Sequence, residues 1–147
     1  MKYFTISELT KSSTATRLGI DNTPDGLSRT NLESLVVNVL DPLREAFGKP
    51  IVVNSGFRCE KLNKAVGGAS SSQHRYGQAA DIEAYSRKPE DNRRLFELIR
   101  ELNLPFDQLI NEFGYDWVHV SFNRFSRRGQ VLEAKKQAGK TVYINVK

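Results

Sequence analysis

Residues 72–84 read S-Q-H-R-Y-G-Q-A-A-D-I-E-A. From Ala79 to Ala84 this run has the small, apolar character of a buried strand, and Asp81 sits inside it. A carboxylate in such a place requires partners, because burying an unpaired charge costs several kcal/mol or drives the group to its neutral form. Just upstream, Gly67-Gly68-Ala69-Ser70-Ser71-Ser72 forms a loop of small residues that runs directly into His74. Gly77 and Ala79 are expected to be small because the chain must turn between His74 and Asp81 and pass close to a site between them.

Farther upstream, Ile51-Val52-Val53 is a short β-type run closed by Asn54-Ser55-Gly56, and a short helix is expected over 59–66. The first clear element of the chain is a helix near Ser28, with Thr30-Asn31-Leu32-Glu33 as a capping box. Its Leu32, Leu35, Val36, Val39, Leu40, Leu43 and Phe47 fall at helical spacing and make one apolar stripe. Pro42 should kink this helix, and Gly48 with Pro50 should end it. Downstream, Pro89 and Glu90 start a second helix with Leu95, Leu98, Ile99 and Leu102 toward the core. Residues 106–113 suit strand or helix equally, whereas 117–122 and 141–146 read as strands. Helices and short strands come mixed rather than in regular alternation. An α+β fold is therefore expected, with a small, mostly antiparallel sheet flanked by helices. Neither a repeat nor a low-complexity linker interrupts the chain, so one domain over 1–147 is expected.

The 147 residues include one cysteine, Cys59, and two histidines, His74 and His119. An intrachain disulfide and a cysteine-rich zinc knuckle are excluded, so any metal must be held through histidine and carboxylate. No apolar stretch near the N-terminus is long enough for a signal peptide or a membrane span. Synthesis in the cytoplasm without a signal peptide is the expectation, with action on a target outside the membrane only after release. The net charge of +5 suits polyanions. The basic run Arg124, Arg127, Arg128, Lys135, Lys136 and Lys140 is sparse and carries no nucleic-acid motif, so nucleic acid and membrane insertion are not expected. A monomer is expected.

A histidine on a strand, such as His119 in Trp117-Val118-His119-Val120, is more often a packed core residue than a ligand. The 72–81 segment, however, matches the pattern SxHxxGxAxD in full. With it, the chain resembles the zinc D-Ala-D-Ala carboxypeptidase family, the M15 peptidases that include phage endolysins and D-Ala-D-Ala dipeptidases. The family's second motif, an acidic residue three positions before a histidine next to tryptophan, is matched by Asp116-Trp117-Val118-His119. In relatives the tryptophan often stands immediately before the histidine. The resemblance runs over about 51–122. It implies a Hedgehog/DD-peptidase-like fold and hydrolysis of a peptide bond in peptidoglycan stem peptides. It also implies one zinc ion on His74, Asp81 and His119, Asp116 as catalytic base, Arg58 as transition-state cation and Ser72 as a substrate contact.

These residue types suit that chemistry. Neutral imidazoles and a carboxylate bind zinc, and three protein ligands leave a fourth tetrahedral position open, as in catalytic sites. Residues three apart on a strand point to opposite faces, so Gly114 and Tyr115 would have to form a turn or bulge for Asp116 to reach the site. Glu112 is the reserve candidate for the base. By the resemblance Arg58 would stabilise a developing oxyanion or clamp a terminal carboxylate, and without the resemblance it reads as an ordinary surface arginine. Ser72 could equally cap its own loop. The expected activity is of the D-Ala-D-Ala carboxypeptidase or L-Ala-D-Glu endopeptidase type, an endolysin setting included. The alternative is a non-catalytic, zinc-containing wall-binding module.

Overall fold

The computed structural model describes residues 1–147. Two short helices, α1 (Ile6–Thr10) and α2 (Ser13–Leu18), precede the first element legible in the sequence. Each is opened by a hydroxyl, Thr5 or Ser12, that accepts a backbone N–H of the first turn. Helices this short display no hydrophobic period, which is why the sequence did not reveal them.

The long helical segment starts earlier than the capping box suggested. Asp25 is the N-cap of α3 (Gly26–Leu35), accepting the Ser28 N–H at 2.7 Å. Thr30 lies one turn inside, its hydroxyl donating to the Gly26 carbonyl. At Pro42 the chain does not break. A π-helical turn, Val36–Leu40, leads into α4 (Asp41–Phe47), which ends at Gly48 with φ 74°. The wider turn lets the helix pass a residue that has no N–H to donate.

Beyond Gly48 come β1 (Ile51–Ser55), α5 (Glu60–Ala65), β2 (Ala79–Ala84) and α6 (Pro89–Glu101). They are followed by β3 (Gln108–Glu112), β4 (Trp117–Ser121), β5 (Gln130–Gln137) and β6 (Lys140–Asn145). The six strands form one sheet in the order β1-β2-β4-β3-β5-β6. Every neighbouring pair is antiparallel except β3 and β5. This is the expected α+β arrangement with a mostly antiparallel sheet. The ambiguous 106–113 region resolves as a strand, and β5, which the sequence did not single out, pairs with it.

Strand alternation gives the sheet two faces of different chemistry. Ala80, Ile82, Leu109, Val118 and Val120 join the main core with the stripe of α3 and α4 and with Leu95, Leu98 and Ile99 of α6. Leu102 is an exception to its expected packing, being 42% exposed at the helix end. On the other face a row runs across five strands: Asp81, His119, Ile110, Leu132 and Asn145 are successive cross-strand partners. Beside it lies a second row, Trp117, Glu112, Ala134 and Tyr143.

Gly77 makes the expected turn between His74 and Asp81, but what it approaches closely is α3 and not the site. It adopts φ 71°, and a Cβ there would collide with the Ser28 carbonyl of α3. The turn that carries His74 is thereby docked on the long helix, where Asn31 Nδ2 also donates to the Tyr76 carbonyl at 2.8 Å.

Candidate functional site

His74 lies on a 3-10 turn, Gln73–Tyr76, and its own N–H is capped by the Ser72 hydroxyl. Its Nδ1 is 2.7 Å from the Gly56 carbonyl, so Nδ1 donates there and Nε2 is left with a free lone pair. The Gly56 carbonyl is itself held in place by α1. Phe57 N–H donates to the Leu9 carbonyl at 2.7 Å, and a Cβ on Gly56 would strike that same carbonyl.

Asp81 and His119 face each other across β2 and β4. Asp81 Oδ1 is 3.0 Å from His119 Nδ1, and Asp81 Oδ2 is 3.3 Å from His74 Nε2. The two imidazole rings meet edge to face, 5.2 Å between centroids. One candidate ligating atom from each of the three residues lies within 4.8 Å of the others. Burial alone would push the Asp81 carboxyl up. Charge and hydrogen bonds from the His74 and His119 imidazoles, in their protonated form, outweigh that and hold it well below the usual carboxylate range. Two imidazole nitrogens and a carboxylate oxygen converging from three elements fit a tetrahedral zinc ion with one position left over.

The three residues lie in a cleft of about 550 Å³. Arg58 and Ser72 line it on the β1 side, and Glu112, Trp117, Leu132 and Tyr143 line it on the β5 and β6 side. Glu112 is 8% exposed. Burial pushes its carboxyl up to about 7, with His119 opposing and the Asp81 charge adding to the rise. Arg58 donates from Nη2 to the Ser72 hydroxyl at 3.3 Å, and its buried Nε has no partner. Burial lowers the Arg58 pKa, and the nearby Asp81 charge opposes that.

Asp116 is where expectation and position part. It is exposed, is absent from the cleft lining, and its N–H closes a turn onto the Glu112 carbonyl. The turn at Gly114 and Tyr115 does form, both with positive φ, but it does not re-aim Asp116. The ladder is already regular at Trp117, which pairs with Glu112, so Trp117 and His119 share the cleft face and the residue before Trp117 is turned away. Glu112 occupies the cleft because it is the cross-strand partner of a residue two positions from His119. The sequence left 106–113 open between strand and helix, so that pairing was not legible in it. Gln73, Arg128 and Tyr143 also line the cleft and went unflagged, the last because β6 reaches the site only through pairing with β5.

The sequence model of the family described as Peptidase M15 matches residues 2–121. The match starts well upstream of the 51–122 core that carried the resemblance, so it takes in α1 to α4, while β5 and β6 lie beyond it. Over 49 residues, 33% of this chain, the sequence is 55% identical to the zinc D-Ala-D-Ala carboxypeptidase of Streptomyces albus G. The aligned part covers 19% of that relative's length.

Proposed function

The chain belongs to the peptidase M15 family, and from that premise we propose that it is a zinc peptidase, one domain over 1–147, that hydrolyses a peptide bond in the stem peptides of bacterial peptidoglycan. The observation that carries this reading is the convergence of the His74, Asp81 and His119 donor atoms, within 4.8 Å, on a cleft that also holds an acid and a guanidinium. When bound, zinc supplies Lewis acidity, which activates water near neutral pH and polarises the scissile carbonyl.

The remaining chemistry falls to the chain's own groups. Glu112, whose carboxyl lines the cleft beside the three donor residues, is suited to take the proton of the attacking water on a carboxylate oxygen and hand it to the leaving amine nitrogen. We therefore assign the base to Glu112, the reserve candidate, and not to Asp116, since only Glu112 lines the cleft. Arg58, with its Nε unpartnered, is placed to receive the carbonyl oxygen as it gains charge, or the terminal carboxylate of a stem peptide. Ser72 orients Arg58 through its hydroxyl and borders the same space, which supports a substrate contact.

Purified protein is to be analysed for zinc per chain and assayed on stem peptides ending in D-Ala-D-Ala and on peptides offering only the L-Ala-D-Glu bond. One zinc per chain and chelator-sensitive cleavage of either substrate support the proposal, and the substrate cut names the bond. Turbidity loss of isolated walls supports the endolysin setting. Normal zinc content with no cleavage of any wall peptide overturns the enzyme and leaves a wall-binding module.

A further inference from the structure

Two imidazoles face the same carboxylate, yet their outer nitrogens are held by different means. His74 has a backbone carbonyl on Nδ1. His119 has a side chain: its Nε2 is 3.2 Å from Gln73 Oε1. For Nδ1 of His119 to be the metal-facing nitrogen, its proton must reside on Nε2, and only an acceptor opposite Nε2 secures that tautomer. A glutamine is ambiguous in this role. Its oxygen would select the productive tautomer, and its amide NH₂ would select the opposite one, with Nδ1 protonated and unable to ligate.

The orientation of Gln73 is decided at its far end. Gln73 Nε2 donates to Asp107 Oδ2 at 2.8 Å. An ionised carboxylate can only accept, so the NH₂ must face Asp107 and the oxygen must face His119. Asp107 is 4% exposed and takes three more hydrogen bonds, all from Arg128. Arg128 Nε and its backbone N–H reach Oδ1 at 3.0 Å, and Nη2 reaches Oδ2 at 3.0 Å. These bonds from Arg128 outweigh burial and hold the Asp107 carboxyl below its ordinary value, so it stays ionised at neutral pH.

We propose that Asp107 and Gln73 are positioning residues, a polarised relay that fixes the tautomer and ring orientation of His119 for metal binding. Neither residue takes part in ligation. The relay rests on the zinc reading above, and it concerns a segment, Asp107 with Arg128, that contributes nothing to the three-residue ligand set itself.

The test measures the zinc dissociation constant by competition with a chromophoric chelator and, separately, the melting temperature of the metal-free chain. Gln73→Leu and Asp107→Asn should each weaken zinc binding about 10- to 100-fold. The double variant Gln73→Glu with Asp107→Asn keeps the direction of the relay with the charge moved inward. The amide introduced at position 107 donates to the carboxylate introduced at position 73, the exposed Arg128 Nη2 turning from it to solvent while its Nε and backbone N–H keep Oδ1, and an oxygen still faces His119 Nε2. It should recover affinity to within a few-fold of wild type, a rescue that lost packing would not produce. Wild type that binds zinc alongside single variants of equal affinity overturns the relay alone. Losses that track the metal-free melting temperature and are not rescued overturn it as well. Wild type that binds no zinc overturns the metal reading, and the relay with it.

Discussion

The two faces of the sheet use neighbouring residues for opposite purposes. Ala80 and Ile82 lie fully buried under the helices, while Asp81 between them meets two histidines in an open cleft. Val118 and Val120 flank His119 in the same way. The covered face places the strands, and the open face uses that rigidity to hold three donor atoms together. A site on paired strands is fixed by the ladder on both sides, so the separation between Asp81 and His119 does not depend on a loop. The comparison predicts that changes on the open face alter chemistry without unfolding, and that changes under the helices do the reverse.

The largest effect is expected for His119→Ala, which should retain no zinc after dialysis and show turnover at background, with a far-UV spectrum like that of wild type. Next comes Glu112→Gln, which should lower turnover about 10²- to 10⁴-fold with one zinc still bound, as read by metal analysis beside the peptide assay. Full activity in this variant would return the base to another group. On the covered face, Leu95→Ala should cost about 2–5 kcal/mol of folding stability in urea denaturation, because Leu95 is fully buried in α6. Zinc per chain should be unchanged at a temperature well below melting.

A pH series sharpens the comparison further. In the metal-free protein Glu112 has its carboxyl raised from 4.5 to about 7, so between those values the folded state holds more protons than the unfolded. Its contribution to stability is complete below pH 4.5 and is lost as pH rises through 7. Glu112→Gln should remove this slope, a difference on the order of 2–3 kcal/mol between denaturation at about pH 5 and about pH 8. The smallest effect should come from Asp116→Ala, an exposed turn position, with turnover and stability within about a factor of two of wild type. A loss as large as that of Glu112→Gln would reverse the assignment of the base.

How much of this was legible from the sequence differs by element. The strand around Asp81 and the loop leading into His74 were legible because buried, small residues and a Gly/Ser run are local signals. The stripe from Leu32 to Leu43 likewise announced the long helix, though not its start, since Asp25 competes with Thr30 as a cap and only one of them stands before a free helix end. β5 was missed because its pairing with β3 is parallel and bridges a hairpin, and its outer half, Lys135 to Gln137, is exposed. Asp116 is close to His119 in sequence, which is what pointed to it as the base, whereas Glu112 is close to His119 in the sheet and lines the cleft.

The chain's order of residues was enough to name the chemistry available: two imidazoles, one carboxylate in an apolar run, no second cysteine, and a spacing shared with a peptidase family. Which acid faces the cleft, which oxygen meets each imidazole, and how Arg128 is linked through Asp107 and Gln73 to the outer nitrogen of His119 were decided only by folding. Side-chain direction on a strand depends on register, and register is set by partners far along the chain, so a one-residue slip would exchange the two faces.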